Sequence, residues 1–135
     1  MSKVVVFMNL TLDGVMQAPG RPDEDPRGGF EHGGWAMPYA TMEAAEESKA
    51  HTGALLLGRR TYEDFYTVWP NRTDNPFTEV LNNNQKYVAS TTLSEPLPWI
   101  NSTLLKGDAA EAVARLKEEG ARISWSSAAE SWSSR

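Results

Sequence analysis

Short apolar runs recur along the chain and predict the strands of a sheet. The first run, Val4 to Met8, is continuous and rich in valine, which is typical of a strand buried in the middle of a sheet. The stretch "ALLLG" at 54–58 predicts a second short buried strand, because it is apolar and ends in glycine. Two further strands are indicated within "QKYVAS" at 85–90 and "PWINSTLL" at 98–105.

Amphipathic stretches with helix signals separate these runs. The segment "RRTYEDFYTVW" at 59–69 has aromatic residues spaced to one helical face, and "NPFTEVLNNN" at 75–84 indicates a short helix. The clearest helix is "GDAAEAVARLKEEG", in which Asp108 can cap the first turn and Gly120 can end the last. Helix formers also fill "MPYATMEAAEESKAHTG" at 37–53. Strands separated by helices predict a three-layer α/β fold, with a mainly parallel sheet between helices.

A segment rich in proline, glycine and charge, "QAPGRPDEDPRGGFEHGG" at 17–34, interrupts this pattern. Loops of this length inside a compact domain are usually functional or mobile. The 135 residues contain no internal repeat and no linker, so we expect one domain over 1–120, followed by a Ser/Trp-rich tail over 121–135.

Composition excludes several functions. A net charge of -5 leaves no basic excess to neutralise phosphates, so neither nucleic acid nor an acidic membrane surface is an expected partner. Cysteine is absent and only His32 and His51 supply imidazole, so we expect no disulfide and no metal site. The apolar start is too short for a signal peptide or a membrane span, which predicts a soluble cytoplasmic domain.

Two stretches place candidate functional groups where strands end. Asp13 and Gly14 follow the first strand, and ligands of α/β sheets bind beyond the carboxyl ends of strands. The stretch Gly58, Arg59, Arg60, Thr61 joins a strand to a helix, whose free N–H groups and added positive charge could seat a phosphate. The alternatives are a plain Asp-Gly turn and an ordinary strand-to-helix corner with solvated arginines.

Two weaker stretches complete the candidate site. Ser90 and Thr91 follow a third strand in "VASTTL", although any loop can hold hydroxyl residues. Trp35 and Met37 in "HGGWAMPY" could wall a pocket for a flat ring, although a tryptophan near a helix start often belongs to the core.

Taken in this order, these stretches resemble the dihydrofolate reductase-like superfamily. The resemblance is strongest to the branch that contains the reductase domain of the riboflavin-biosynthesis deaminase/reductase. It extends from about Lys3 to Gly120, and "NLTLDGV" together with "LLLGRRTYE" carries most of its specificity. It implies an NADPH-dependent reductase that transfers hydride to a small molecule, and a homodimer.

The resemblance also implies roles for the candidate residues. Gly58, Arg59, Arg60 and Thr61 would hold the pyrophosphate and 2′-phosphate of NADPH, and Ser90 and Thr91 would border its adenosine end. Asp13, Gly14 and Trp35 would lie beside the nicotinamide and the substrate, with Asp13 the candidate catalytic residue.

The chain departs from true dihydrofolate reductases after Trp35. "MPYATM" offers no early acidic residue to engage a pterin, so a ribosylaminopyrimidine or another small carbonyl or imine compound is the better substrate prediction. Two alternatives stay open: a truncated, non-catalytic interaction or oligomerisation module, and a nucleotide-binding protein without turnover.

The tail differs from what the resemblance implies. A strand and a glycine-rich phosphate-binding turn should follow the last helix, beside the first strand, but the chain reads "ARISWSSAAESWSSR". A shifted reading frame of suitable codons gives "DIVVIGSGELVI", so our hypothesis is a frameshift followed by a premature stop. We therefore expect the C-terminal strands of the fold to be missing and sheet edges to be exposed. The nucleotide sequence of the gene tests this hypothesis.

Overall fold

The computed structural model describes residues 3–41, 43, 53–75 and 77–120, and the backbone of 123–126. The described strands are β1 (Val4–Phe7), β2 (Ala54–Gly58), β3 (Lys86–Ala89), β4 (Ser102–Leu105) and β5 (Ile123–Ser126). The helices are α1 (Arg59–Val68), α2 (Phe77–Asn83) and α3 (Ala109–Glu118), with short 3-10 turns at Arg27–Gly29 and Met37–Tyr39. Most of the helix predicted at 37–53 lies outside the described residues.

The strands form one parallel sheet in the order β1-β5-β2-β3-β4. The α/β class and the parallel sheet predicted from the sequence are therefore confirmed. The predictions for β2, β3, β4, α1, α2 and α3 agree with the structure to within a few residues at each end.

Alternate residues of β2 serve two separate cores. Leu55 and Leu57 face a cluster with Tyr62, Val88 and Trp99, which belongs to the layer of α1 and α2. Leu56 faces the opposite side, where Leu116 of α3 covers it, as the two-residue period of a strand requires. Helices therefore cover both faces of the sheet at β2.

The first strand lies differently from its prediction. The sequence predicts a strand buried in the middle of the sheet, yet within the described residues β1 is an edge that pairs with β5 alone. Val5, Val6 and Phe7 are 44%, 59% and 51% exposed. The apolar pattern indicates that both faces of the strand could be buried by other segments, but it does not show which segments lie against them.

The start of the tail also differs from its prediction. Residues Ile123–Ser126 form β5, which pairs in parallel with β1 on one side and with β2 on the other. Parallel pairing uses main-chain groups, so a serine-rich segment can occupy this position in the sheet. The strand expected here is present as backbone, and the phosphate-binding turn expected after it falls on residues 127–135, outside the described part of the chain.

The ends of α3 follow its sequence signals. The Asp108 carboxylate accepts a hydrogen bond of 3.0 Å from the Glu111 N–H, and Gly120, at φ +84°, ends the helix. Asp108→Ala should lower the free energy of unfolding by about 1 kcal/mol, because this N–H loses its acceptor. Urea denaturation measures the loss, and Asp108→Ser, which retains a capping oxygen, should restore most of it. Equal losses for the two variants would contradict the capping role.

Candidate functional site

The candidate site lies along the carboxyl edge of the parallel sheet. Because β1, β2 and β3 run in the same direction, the segments that follow them emerge at the same edge. Asp13 follows β1, and Arg59 begins the helix that follows β2. With β5 between them, β1 and β2 are about 10 Å apart across the sheet.

Asp13 lies in a tight turn after β1. The Thr11 N–H donates to the Val15 carbonyl at 2.9 Å, and the Gly14 N–H donates to the Thr11 carbonyl at 3.1 Å. Gly14 has a φ of +88°, which a residue with a side chain rarely adopts. The turn therefore favours glycine at position 14, and it presents the Asp13 side chain to solvent.

The Asp13 carboxyl is held in its ionised form. The Thr11 hydroxyl donates to Asp13 Oδ1 at 2.6 Å, and this hydrogen bond is the main cause that lowers the Asp13 pKa below its ordinary value. At neutral pH Asp13 therefore carries a negative charge and has no proton to give. It suits the binding of N–H groups or a positive charge better than general-acid catalysis.

The start of α1 has an unusual charge pattern for a helix. Its first turn contains Arg59 and Arg60, holds no acidic residue, and has no side-chain cap at Gly58. Helix N-termini favour acidic side chains or capping oxygens, because their N–H groups lack partners. The open N-terminus and the two cations together suit a bound anion such as a phosphate.

Arg59 connects the ends of two neighbouring strands. Its Nη1 donates to Thr92 Oγ1 at 2.9 Å, and its Nε lies 3.6 Å from Glu63 Oε2. The Ser90 hydroxyl accepts hydrogen bonds from the N–H groups of Thr92 and Leu93, both at 3.1 Å. The structure thus brings Arg59 to the hydroxyl-rich turn after β3.

The electrostatic surroundings of Arg60 differ from those of Arg59. Hydrogen bonds from Arg27 are the main cause that lowers the pKa of Asp25, and the positive charge of Arg60 acts in the same direction. Asp25 belongs to the segment 17–34, so Arg60 lies near that loop. The two adjacent arginines therefore have different surroundings.

The segment 17–36 is a closed loop attached to α1. Its neck is formed by main-chain hydrogen bonds from Gly34 to Ala18 and from Ala36 to Pro19. The Arg21 guanidinium makes a two-pronged ion pair with Asp64, one contact of which is 3.1 Å, and their side chains are 33% and 24% exposed. The loop is therefore docked against α1, whose N-terminus is the candidate phosphate-binding site.

Trp35 belongs to the neck of this loop. Its Nε1–H donates to the Gln17 carbonyl at 2.9 Å, and the residue is half-buried. This contact gives Trp35 a structural role beside its predicted role near the nicotinamide. Met37, the other predicted pocket wall, is 52% exposed.

The other predicted site residues divide by burial. Thr61, in the first turn of α1, is 6% exposed, whereas Thr91 is exposed beside the half-buried Ser90. Gly58 has an ordinary extended backbone with φ -76°, so its conformation alone does not require glycine. Sequence reasoning did not select Thr92, although it stands in the same "VASTTL" stretch.

No group of three or more histidine, aspartate or glutamate side chains within the described ranges could hold a metal ion. None of the helices whose residues are described is long and apolar enough to cross a membrane.

The parallel sheet, with helices on both faces at β2 and charged groups at its carboxyl edge, defines an α/β domain with a candidate anion-binding edge. Residues 2–124 match the RibD C-terminal domain family, and the chain belongs to that family. The sequence-based assignment to the riboflavin-biosynthesis reductase branch is therefore confirmed at the level of the family.

One solved structure reinforces the fold assignment. It is a protein of Shewanella sp. PV-4 whose name refers to riboflavin biosynthesis, with 19% sequence identity and a TM-score of 0.57. The similarity covers 94% of this chain and 64% of that one, so the chain spans less than two thirds of its relative. No curated protein sequence matches the chain.

Proposed function

We propose that the chain is an NADPH-binding reductase domain that acts on a small nitrogenous substrate. The observation that carries this proposal is the contact of Arg59 with Thr92, which joins the ends of β2 and β3 at the uncapped start of α1. A phosphate bound there would accept hydrogen bonds from main-chain N–H groups and from a guanidinium.

The donors at this site fit the phosphorylated form of the cofactor. NADPH would supply the hydride when bound, and the protein would supply position and charge. Arg59, with Ser90 and Thr92 nearby, would hold the 2′-phosphate, which NADH lacks. Gly58 and the first N–H groups of α1 would face the remaining phosphates.

The substrate end is proposed near Asp13. An ionised carboxylate accepts hydrogen bonds from amino groups, so an aminopyrimidine or an imine suits it better than an anionic substrate. Asp13 would orient such a substrate, and the proton needed after hydride transfer would come from solvent, since Asp13 holds none at neutral pH.

Cofactor titration tests the proposal, because the five tryptophans give an intrinsic fluorescence signal. Arg59→Ala should weaken NADPH binding by about 1–3 kcal/mol, about 5- to 150-fold, and leave NADH binding nearly unchanged. Arg60→Ala should have a smaller effect, since Arg60 lies near Asp25 of the loop.

The matched control for this prediction is Arg115→Ala. Arg115 is an exposed arginine on α3, a helix that packs against the opposite face of the sheet from α1, and it should affect neither cofactor. Equal losses for NADPH and NADH in Arg59→Ala would contradict the 2′-phosphate assignment. If the folded wild-type protein binds neither NADPH nor NADH, the proposal itself is wrong.

A second candidate function has its own supporting observation. The edge strand β1 and the residues after it expose Val6, Phe7, Leu10 and Leu12, a surface suited to self-association in a homodimer or to an interaction module. This function would be favoured if the folded protein does not bind NADPH and its sedimentation coefficient rises with concentration. A monomer that binds NADPH would exclude it.

A further inference from the structure

Glu63 lies beside the proposed phosphate seat and has no place in the function described above. Its carboxylate is four residues along α1 from Arg59, with Oε2 at 3.6 Å from Arg59 Nε. The two side chains are 52% and 43% exposed, so solvent and an incoming ligand can reach the pair.

The Arg59 guanidinium is divided between two acceptors. Nη1 donates to the Thr92 hydroxyl, and the Nε side faces Glu63. An arginine grips a phosphate most strongly through two parallel N–H groups on one side of its planar fork. A two-pronged grip through Nε would therefore require the Glu63 carboxylate to move away.

A bound 2′-phosphate would also be repelled by this carboxylate. A phosphate monoester carries a charge of about -1.5 to -2 at neutral pH, and Glu63 would stand within a few ångströms of any anion on Arg59. Like charges at such distances oppose binding, and salt screens the effect where the charges are exposed.

We propose that Glu63 determines the affinity of the site for a 2′-phosphate by competing with it for Arg59. This inference rests on the proposed function and adds to it a residue that controls cofactor selectivity. In the absence of ligand, Glu63 and Thr92 hold Arg59 at the edge of β3. When the ligand leaves, the pair with Glu63 forms again, which favours dissociation.

Calorimetric titration with adenosine 2′,5′-bisphosphate and with adenosine 5′-monophosphate tests the proposal. Glu63→Gln should bind the bisphosphate about fivefold more tightly than the wild type, which is the effect of removing a surface pair worth about 1 kcal/mol. The monophosphate should bind equally to both proteins, because it lacks the 2′-phosphate. The difference should shrink at high salt.

Glu111→Gln is the matched control. Glu111 pairs with Arg115 across one helical turn of α3, at 4.0 Å, and both side chains are exposed. The Glu111→Gln variant removes the same charge from the protein without affecting the surroundings of Arg59. It should therefore leave the affinities for the bisphosphate and for the monophosphate unchanged. Circular dichroism should give both variants the melting temperature of the wild type.

The outcomes separate this proposal from the function on which it rests. If the wild type does not bind the bisphosphate, the proposed function fails and Glu63 has nothing to control. If the wild type binds it and Glu63→Gln binds it equally or more weakly, the competition is overturned while the function stands. An equal gain in Glu111→Gln would show a general charge effect and would also overturn it.

Discussion

Replacing Lys86 with methionine is expected to lower the free energy of unfolding by about 2–4 kcal/mol. Lys86 is fully buried, and its Nζ donates to the carbonyls of Leu81 at 2.7 Å and Asn84 at 2.8 Å, with Asn82 at 3.3 Å. These carbonyls lie at the C-terminal end of α2, where no following helical turn supplies N–H donors to them. Methionine fills a similar volume but leaves the Leu81 and Asn84 carbonyls without the ammonium donor, while the Asn82 carbonyl keeps a hydrogen bond of 3.1 Å from Asn101 Nδ2.

Urea denaturation at pH 7 measures this loss. Lys117→Met is the control, because Lys117 is exposed on α3, and its replacement should change the free energy of unfolding by no more than about 0.5 kcal/mol. Similar stabilities for the two variants would mean that the Lys86 ammonium does not stabilise the end of α2.

The stability difference between wild type and Lys86→Met should also depend on pH. Burial lowers the pKa of Lys86 to about 8, from an ordinary 10.5. Between these values the unfolded chain retains the lysine proton and the folded chain has lost it, so the wild type gains stability relative to the variant as pH rises. Parallel profiles of stability against pH would contradict this shift.

Replacing Trp99 with alanine is the second change with a large expected effect. It should lower the free energy of unfolding by about 3–5 kcal/mol. Trp99 is 3% exposed, and its ring centroid lies 6.1 Å from that of Tyr62 and 4.5 Å from Lys86 Nζ. Its Nε1–H donates to Asn82 at 2.6 Å. The variant therefore removes packing, a hydrogen bond and a cation–π contact together.

Circular dichroism should follow this unfolding, because the variant removes one of the five tryptophans. Trp99→Phe keeps a ring over Lys86 and loses the Nε1–H donor, so its expected loss is only about 1–2 kcal/mol. The losses of Trp99→Ala and Lys86→Met should not add in the double variant, since the two side chains are in contact. Additive losses would mean that the two groups stabilise the fold independently.

The elements of the fold were predictable where the pattern is local. The apolar run Ala54–Gly58 and the capped segment from Asp108 to Gly120 carry their own start and stop signals, and both form as predicted. The position of β1 was not predictable in this way, because the exposure of a strand depends on which segments lie beside it. The pairing of the serine-rich Ile123–Ser126 was missed for a related reason: it depends on main-chain groups between two neighbours.

The candidate site shows the same division. The place of Arg59 at the start of a helix directly after a strand was predictable, and its role in binding an anion there stays a prediction. Its contact with Thr92 depends on β2 and β3 being neighbours, which the sequence does not state. The ion pair of Arg21 with Asp64 joins residues 43 positions apart, and no local sequence motif predicts it.

The pairing of β1 with β5 has a consequence during synthesis. Val4 pairs with Ile123, so β1 must wait for β5 to be synthesised before the two can pair, a delay on the order of ten seconds. Throughout that time the sequence "VVVF" lacks the neighbour with which it pairs among the described strands, and contacts so distant along the chain also slow folding. The yield of folded protein in the cell should therefore depend on chaperones that shield this segment until translation has passed residue 126.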